Sequence, residues 1–260
     1  FLRSTLKSHH MNFPKDSVVV LFALSLGLGL LTPVLAQTLN EGWTQPQRLT
    51  GAGFVGKHAE MVVDDDGHAH VVWIEWFDPV FGTSASESYS TIQYSRFDGE
   101  IWTEPITVRK TTGGVMIGDL SNCIDTRSVL YVGWTEGSKI GGVGVQPCCG
   151  PVFLSKVASE KATNLSDWLQ PQEIQFPAFR IDLTADATGR LHMVFSGIRA
   201  EVGVFYSGSS GQDGDWTCPL PLYPDLPADQ LTERIQLELD GEQVVHVLWE
   251  YIWTKHPWGG

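Results

Sequence analysis

The chain is 260 residues long, with a formal net charge of −13, 10 Trp, 27 Gly and 14 Pro. So acidic a chain lacks the basic surface that nucleic acid or anionic lipid would require, and neither partner is expected. Abundant Gly, Pro and aromatic residues, with no sustained helical periodicity, point to an all-β protein.

In chain order, Phe1 opens the sequence and the first methionine is Met11, so residues 1–10 read as upstream of a start. From Met11 a short polar stretch with Lys15 gives way to an apolar run, Val18 to Leu31, then Pro33 and Val34-Leu35-Ala36. This is the layout of a signal peptide, residues 11–36, with cleavage expected after Ala36. The apolar run is shorter than the roughly 20 residues a spanning helix needs. The alternative is an uncleaved anchor, since the start is only weakly basic. The protein is therefore expected to be secreted or extracytoplasmic, at the cell surface or in the periplasm, with no stable membrane span once the leader is cleaved. Beyond it lie Cys123, Cys148, Cys149 and Cys218. Under oxidising conditions four cysteines allow three pairings, a vicinal Cys148–Cys149 bridge among them. No C-x-x-C spacing suggests zinc, and no metal or other cofactor is expected.

Two signatures recur with a period of about sixty residues, a spacing that marks repeat architectures. One is an alternating strand that ends on an aromatic: Trp73, Trp134, Phe195 and Trp249. The other is tryptophan followed three residues later by proline, at Trp43, Trp102, Trp168 and Trp216. The two sets interleave. The first unit reads as four strands: one near 58–64, the turn Asp65-Asp66-Gly67, one at 68–76, then TIQYSRF, the turn Asp98-Gly99 and IWTEPITV. Asp-Gly between alternating apolar segments is a strong hairpin signal. Four-stranded meanders repeated in this way predict a β-propeller of antiparallel blades at about 58–108, 115–174 and 178–222, within a domain spanning 37–260. A partial blade is expected at 230–260. The unmatched GWTQPQRL, residues 42–50, reads as an outermost strand that closes the ring. Such a chain looks like part of a larger propeller; the alternative is a small four-bladed ring.

IQYSRFDGEIWTEP resembles the Asp-box, or bacterial neuraminidase repeat, with Ser95, Gly99 and Trp102 in place and Asp98 displaced by one position. YSGSSGQDGDW retains Ser207, Asp213, Gly214 and Trp216, and LSKVASEKATNLSDW retains Ser155, Asp167 and Trp168. The chain is thus similar to sialidase-like β-propellers. FRID, residues 179–182, resembles the F-R-I-P motif whose arginine grips the sialic acid carboxylate in that family. The resemblance therefore implies a role in ligand binding for Arg180, echoed by Arg234 at the matching place of the fourth unit. In the first two units that place falls at or near His58 and near Gly118. The departures are that FRID stands in the third unit, Asp182 replaces the proline, and no third arginine, acid or tyrosine–glutamate pair can be assigned. The other reading of Arg180 and Arg234 is strand-entry residues paired to Asp182 or Glu233.

His70 and His192 each lie three residues before the anchor aromatic, as does His246, and Tyr131 fills that slot in the second unit. A position belonging to the repeat is structural rather than a metal triad. Asp64-Asp65-Asp66 could coordinate calcium but occupies a hairpin turn, where turn chemistry is the simpler role. Trp76 and Trp253, near the ends of their strands, suit stacking on sugar rings; the alternative is that they cover blade ends. The function expected is glycan or other surface-ligand binding. The alternatives are an exo-acting glycoside hydrolase of sialidase type and a structural protein-interaction scaffold.

Overall fold

The computed structural model describes residues 47–51, 55–77, 88–138, 150–197, 203–209, 215–223 and 230–253. The leader at 11–36, Trp43, Cys148, Cys149, Asp213 and Gly214 lie outside them. Among the described residues no helix is long and apolar enough to cross a membrane.

Within each sheet the strands pair antiparallel with their sequence neighbours. The first sheet runs β1 (Val55–Val63), β2 (Ala69–Phe77), β3 (Tyr89–Phe97) and β4 (Ile106–Lys110). The second runs β5 (Val115–Ile124), β6 (Val129–Ser138), β7 (Gly150–Ala158) and β8 (Gln172–Ala178). The third runs β9 (Arg180–Ala185), β10 (Leu191–Gly197), β11 (Gly203–Gly208) and β12 (Leu220–Tyr223). A fourth contains β13 (Gln230–Leu239) and β14 (Val245–Trp253). Gln47–Thr50, the described part of the expected closing strand, carries no strand.

Local chemistry explains the meanders. At each inner hairpin an aspartate closes the turn by accepting two backbone N–H groups on Oδ1. Asp64 accepts from Asp66 (3.0 Å) and His68 (2.8 Å); Asp125, Asp186 and Asp240 repeat this. Three residues on, the backbone turns left-handed, at φ 84° for Gly67, 57° for Ser128, 80° for Gly189 and 61° for Gln243. Glycine adopts this region freely and other residues pay for it. The Trp-x-x-Pro motifs place Pro105, Pro171 and Pro219 just before β4, β8 and β12. Each outer strand thus begins after its proline rather than at the tryptophan. A residue without an N–H suits the approach to an edge strand. The turn into the second sheet's outer strand is built differently, from two 3-10 turns at Ser159–Lys161 and Leu165–Asp167.

The sheets pack face to face in chain order. Val72, Ile74, Ile92 and Tyr94 meet Ile117, Leu130, Val132 and Trp134. Val152 and Ile174 meet Ile181, Leu183, Met193 and Phe195. Val194 and Val204 meet Ile235 and Leu237. Trp134 is fully buried; a buried side chain of this class contributes roughly 1.5–3 kcal/mol. Its indole N–H donates to Glu136 at 2.8 Å, and Arg109 of the first sheet holds Glu136 in a two-point pair at 2.7 and 3.0 Å.

Candidate functional site

At the turn end, the recurrent histidine has a structural role. His70 is fully buried, with Nε2 3.1 Å from Asp64 Oδ2 and Nδ1 2.8 Å from the Tyr94 hydroxyl. Burial lowers the imidazole's pKa, and a carboxylate only accepts. The neutral ring therefore carries its proton on Nε2, and Tyr94 donates to Nδ1. Burial would raise Asp64, but its hydrogen bonds to His70 and His68 hold it down at about 2. Asp186, His192 and Tyr206 repeat the arrangement at 3.1 and 2.6 Å. In the second sheet Tyr131 occupies the histidine's slot and donates directly to Asp125 at 3.3 Å. Asp64, Asp66 and His68 are close enough to bracket an ion, but the Asp64 oxygens are already engaged by His68, His70 and the turn N–H groups.

The other end is chemically distinct, about 20 Å away for six residues of strand. Counting back six residues from each turn aspartate gives His58, Asp119, Arg180 and Arg234. The first three are contiguous in space. His58 Nδ1 lies 3.3 Å from Asp119 Oδ1, and Arg180 Nη1 lies 3.6 Å from the same oxygen. Arg180 Nη2 then approaches Glu233 Oε1 at 3.9 Å, so four innermost strands contribute to one polar row. Bulges set three of these side chains: the register shifts between Lys57 and Glu60, Ile117 and Leu120, and Thr232 and Arg234. His58 holds the bulge in β1 with φ 45°, a strained value for a non-glycine residue. Bulges re-aim side chains and gather beside functional sites.

Arg180 is paired with Asp119 and Glu233, and Arg234 makes no ion pair among the described residues. The bulge in β13 sends Glu233 toward Arg180, while Arg234 is exposed. Nor does Asp182 neutralise Arg180, because its oxygens accept from Ser121 (2.7 Å), the Leu183 N–H (2.9 Å) and the Leu237 N–H (2.7 Å). The counter-charge is Asp119, a residue missed by placing the second unit's position near Gly118; counting from the turn aspartate would have found it. Asp119 Oδ2 also accepts the Ile181 N–H at 2.8 Å, and Ser121 Oγ accepts that of Leu183 at 3.0 Å. The free edges of β9 and β13 are thus capped by side chains from the preceding sheet.

Burial raises Asp119 to about 7, even with the Arg180 charge beside it. Burial, then the charges of Arg180 and Lys57, lowers His58 to about 4. Burial, then the charge of Asp182, raises Glu60. Around neutral pH the row therefore pairs an uncharged imidazole with a carboxyl near its midpoint, beside a guanidinium met by two carboxyl groups.

Trp76 is half-buried, with Lys57 Nζ 3.6 Å from its ring centroid and its indole N–H unpartnered. Trp253 of β14 pairs with Gln230 of β13, but its side chain lies outside the described residues. Trp73 is buried and its N–H donates to Glu75 at 3.2 Å; Phe195 is buried and Trp249 half-buried. Trp168 is buried and donates to the Ala162 carbonyl at 2.8 Å. Trp102 and Trp216 are half-buried and form single bridges to Phe97 and Ser209. Ser95, Ser207 and Ser155 donate to the carbonyls of Thr103 (2.7 Å), Thr217 (2.7 Å) and Leu169 (2.6 Å), each just after its tryptophan. Cys123 is a buried free thiol, raised by burial, and Cys218 is exposed and free, so these two are not bridged.

The class so defined is all-β, built of four-stranded antiparallel sheets packed in chain order, as in propeller blades. No protein-family profile and no curated protein matches the sequence. Among solved structures, a protein of unknown function from Dyadobacter fermentans aligns at TM-score 0.55 and 10% identity. The alignment covers 76% of this chain and 63% of that one, a likeness of fold alone. A Trypanosoma rangeli sialidase in complex with sialic acid gives 0.42 at 12% identity, covering 62% and 30%. A family 117 glycoside hydrolase from Zobellia galactanivorans gives 0.46 at 10%, covering 69% and 59%. The chain thus spans less than two thirds of the length of each of these structures.

Proposed function

We propose that this protein is an exported, sialidase-like propeller, its four sheets being blades of a larger ring. It binds a neutral glycan at the innermost-strand end and does not turn it over. The observation that carries this reading is the His58–Asp119–Arg180–Glu233 row. Arg180 already faces two carboxyl groups, Asp119 at 3.6 Å and Glu233 at 3.9 Å, so its charge is partly met, whereas a sugar carboxylate calls for a free guanidinium fork. What it offers instead is a row of alternating donors and acceptors, a pattern matched by vicinal hydroxyls. The test is calorimetric titration of the protein with neutral and sialylated oligosaccharides, together with a fluorogenic sialoside. Binding of the neutral set, abolished by Arg180→Ala, supports the reading. Failure to bind any glycan would end it.

Exo-acting glycoside hydrolysis is a second reading, favoured by one observation. A buried carboxyl at about 7, as for Asp119, suits a general acid. Sialoside turnover that Asp119→Asn removes would replace the binding reading with this one.

A further inference from the structure

β14 holds the place of β2, β6 and β10, each of which carries a third strand; among the described residues β14 pairs only with β13. One face of β14 presents His246, Leu248 and Glu250; Leu248 is 68% exposed, whereas the equivalent Val72 and Val194 are buried against the following sheet, so this exposure belongs to the sheet face and not to its edge. The turn is nevertheless assembled, with His246 Nε2 2.9 Å from Asp240 Oδ2. In the first and third sheets the ring's other nitrogen meets Tyr94 or Tyr206, both from third strands.

The second sheet shows that these two positions change together. There Tyr131 reaches Asp125 directly, with Arg127 donating to both, and the third-strand residue opposite Gly133 is Leu154 rather than tyrosine. Histidine in the second strand goes with tyrosine in the third, and tyrosine goes with leucine. Tyr94 lies opposite Val72 and Ser95 opposite Val71; Tyr206 lies opposite Val194 and Ser207 opposite Met193. Both third strands read apolar-x-Tyr-Ser, as Ile92-Gln93-Tyr94-Ser95 and Val204-Phe205-Tyr206-Ser207.

We propose that the free edge of β14 takes up, antiparallel, a third strand from a repeat of this same type, lying outside residues 47–253 and of the pattern apolar-x-Tyr-Ser. Its tyrosine sits opposite Leu248 and donates to His246 Nδ1, and its serine sits opposite Val247. The docking extends an existing sheet, so main-chain hydrogen bonds supply affinity and the histidine supplies selectivity.

The full chain is titrated with a lysine-flanked peptide carrying the Thr91–Phe97 sequence, with hydrogen exchange followed along β14. Protection confined to residues 245–253 is expected, with about tenfold weaker binding when the peptide tyrosine is replaced by phenylalanine or leucine. A His246→Tyr, Glu242→Arg chain, which copies Tyr131 and Arg127 of the second sheet, should reverse the preference toward the leucine peptide. The substituted side chains are exposed, so folding is expected to be little affected, which circular dichroism checks. Equal binding of the three peptides, no protection of β14, or self-association that the peptide does not compete would each overturn the proposal.

Discussion

Removing the same aspartate from two repeats should have very different consequences. Asp64 accepts the Asp66 and His68 N–H groups and the His70 ring, which has no exposure. Asp64→Ala loses three net hydrogen bonds, each worth about 1 kcal/mol, and leaves the buried Nε2 donor unmatched, which adds roughly 1–2 kcal/mol. The expected cost is about 4–5 kcal/mol, a large share of the roughly 5–15 kcal/mol that holds a domain folded. Asp64→Asn should cost far less, about 1 kcal/mol, because its carbonyl oxygen still closes the turn. Its amide then donates to Nε2 while Nδ1 takes the proton and donates to Tyr94. Asp240 makes the same contacts at the surface, where water replaces them, so Asp240→Ala should leave the unfolding midpoint nearly unchanged. Urea unfolding with a constant slope across the variants measures all three. If Asp240→Ala were as damaging as Asp64→Ala, or Asp64→Asn as damaging as the alanine, the burial argument would be wrong.

Asp119 should also set a pH dependence. Its folded-state value lies near 7, above the usual 3.8, so its contribution is complete below 3.8 and lost as pH rises to about 7. Asp119→Asn should flatten that decline in stability between pH 4 and 7. His58 and Asp64 act oppositely, since both are depressed: the His58 contribution falls away as pH drops from 6.5 toward 4, and that of Asp64 as it drops from 3.8 toward 2. At the turns, Gly67→Ala meets no atom within 4 Å, so its cost of about 1 kcal/mol is purely backbone, measurable by thermal unfolding. Ser128→Gly, at the same turn position, should be neutral or slightly stabilising. Finally, Asp182→Ala frees the Leu237 N–H, and hydrogen exchange at Leu237 should accelerate at least tenfold while β10 amides stay protected.

The sheets were legible because Asp-Gly turns and alternating strands are local signals: TIQYSRF before Asp98-Gly99 is β3, and HVVW lies in β2. The histidine slot was legible by repetition, although its reason was not. Tyr94, Tyr206 and the Asp64 carboxylate meet His70 or His192 only across strands. The polar row was only half legible. Arg180 stood out by its resemblance to a motif, but bulges decide which side chain faces it, and a one-residue shift in β13 exchanges Arg234 for Glu233. Such a shift follows from packing between sheets, which no stretch of a single strand encodes. Trp76, expected either to stack on a sugar ring or to cover a blade end, is half-buried with Lys57 over its ring, a contact between neighbouring strands that the sequence does not spell out.

The side-chain caps between inner strands have a consequence for how such a chain grows. Asp119, Ser121 and Asp182 present acceptors to the next sheet's main chain, whatever side chains that sheet carries. A duplicated unit therefore needs a short polar residue at only one or two places in its predecessor to be received. Gain or loss of a whole unit by recombination would leave joints of this kind chemically intact. Repeat number in such a lineage is free to drift while the sequences between those few positions diverge beyond recognition.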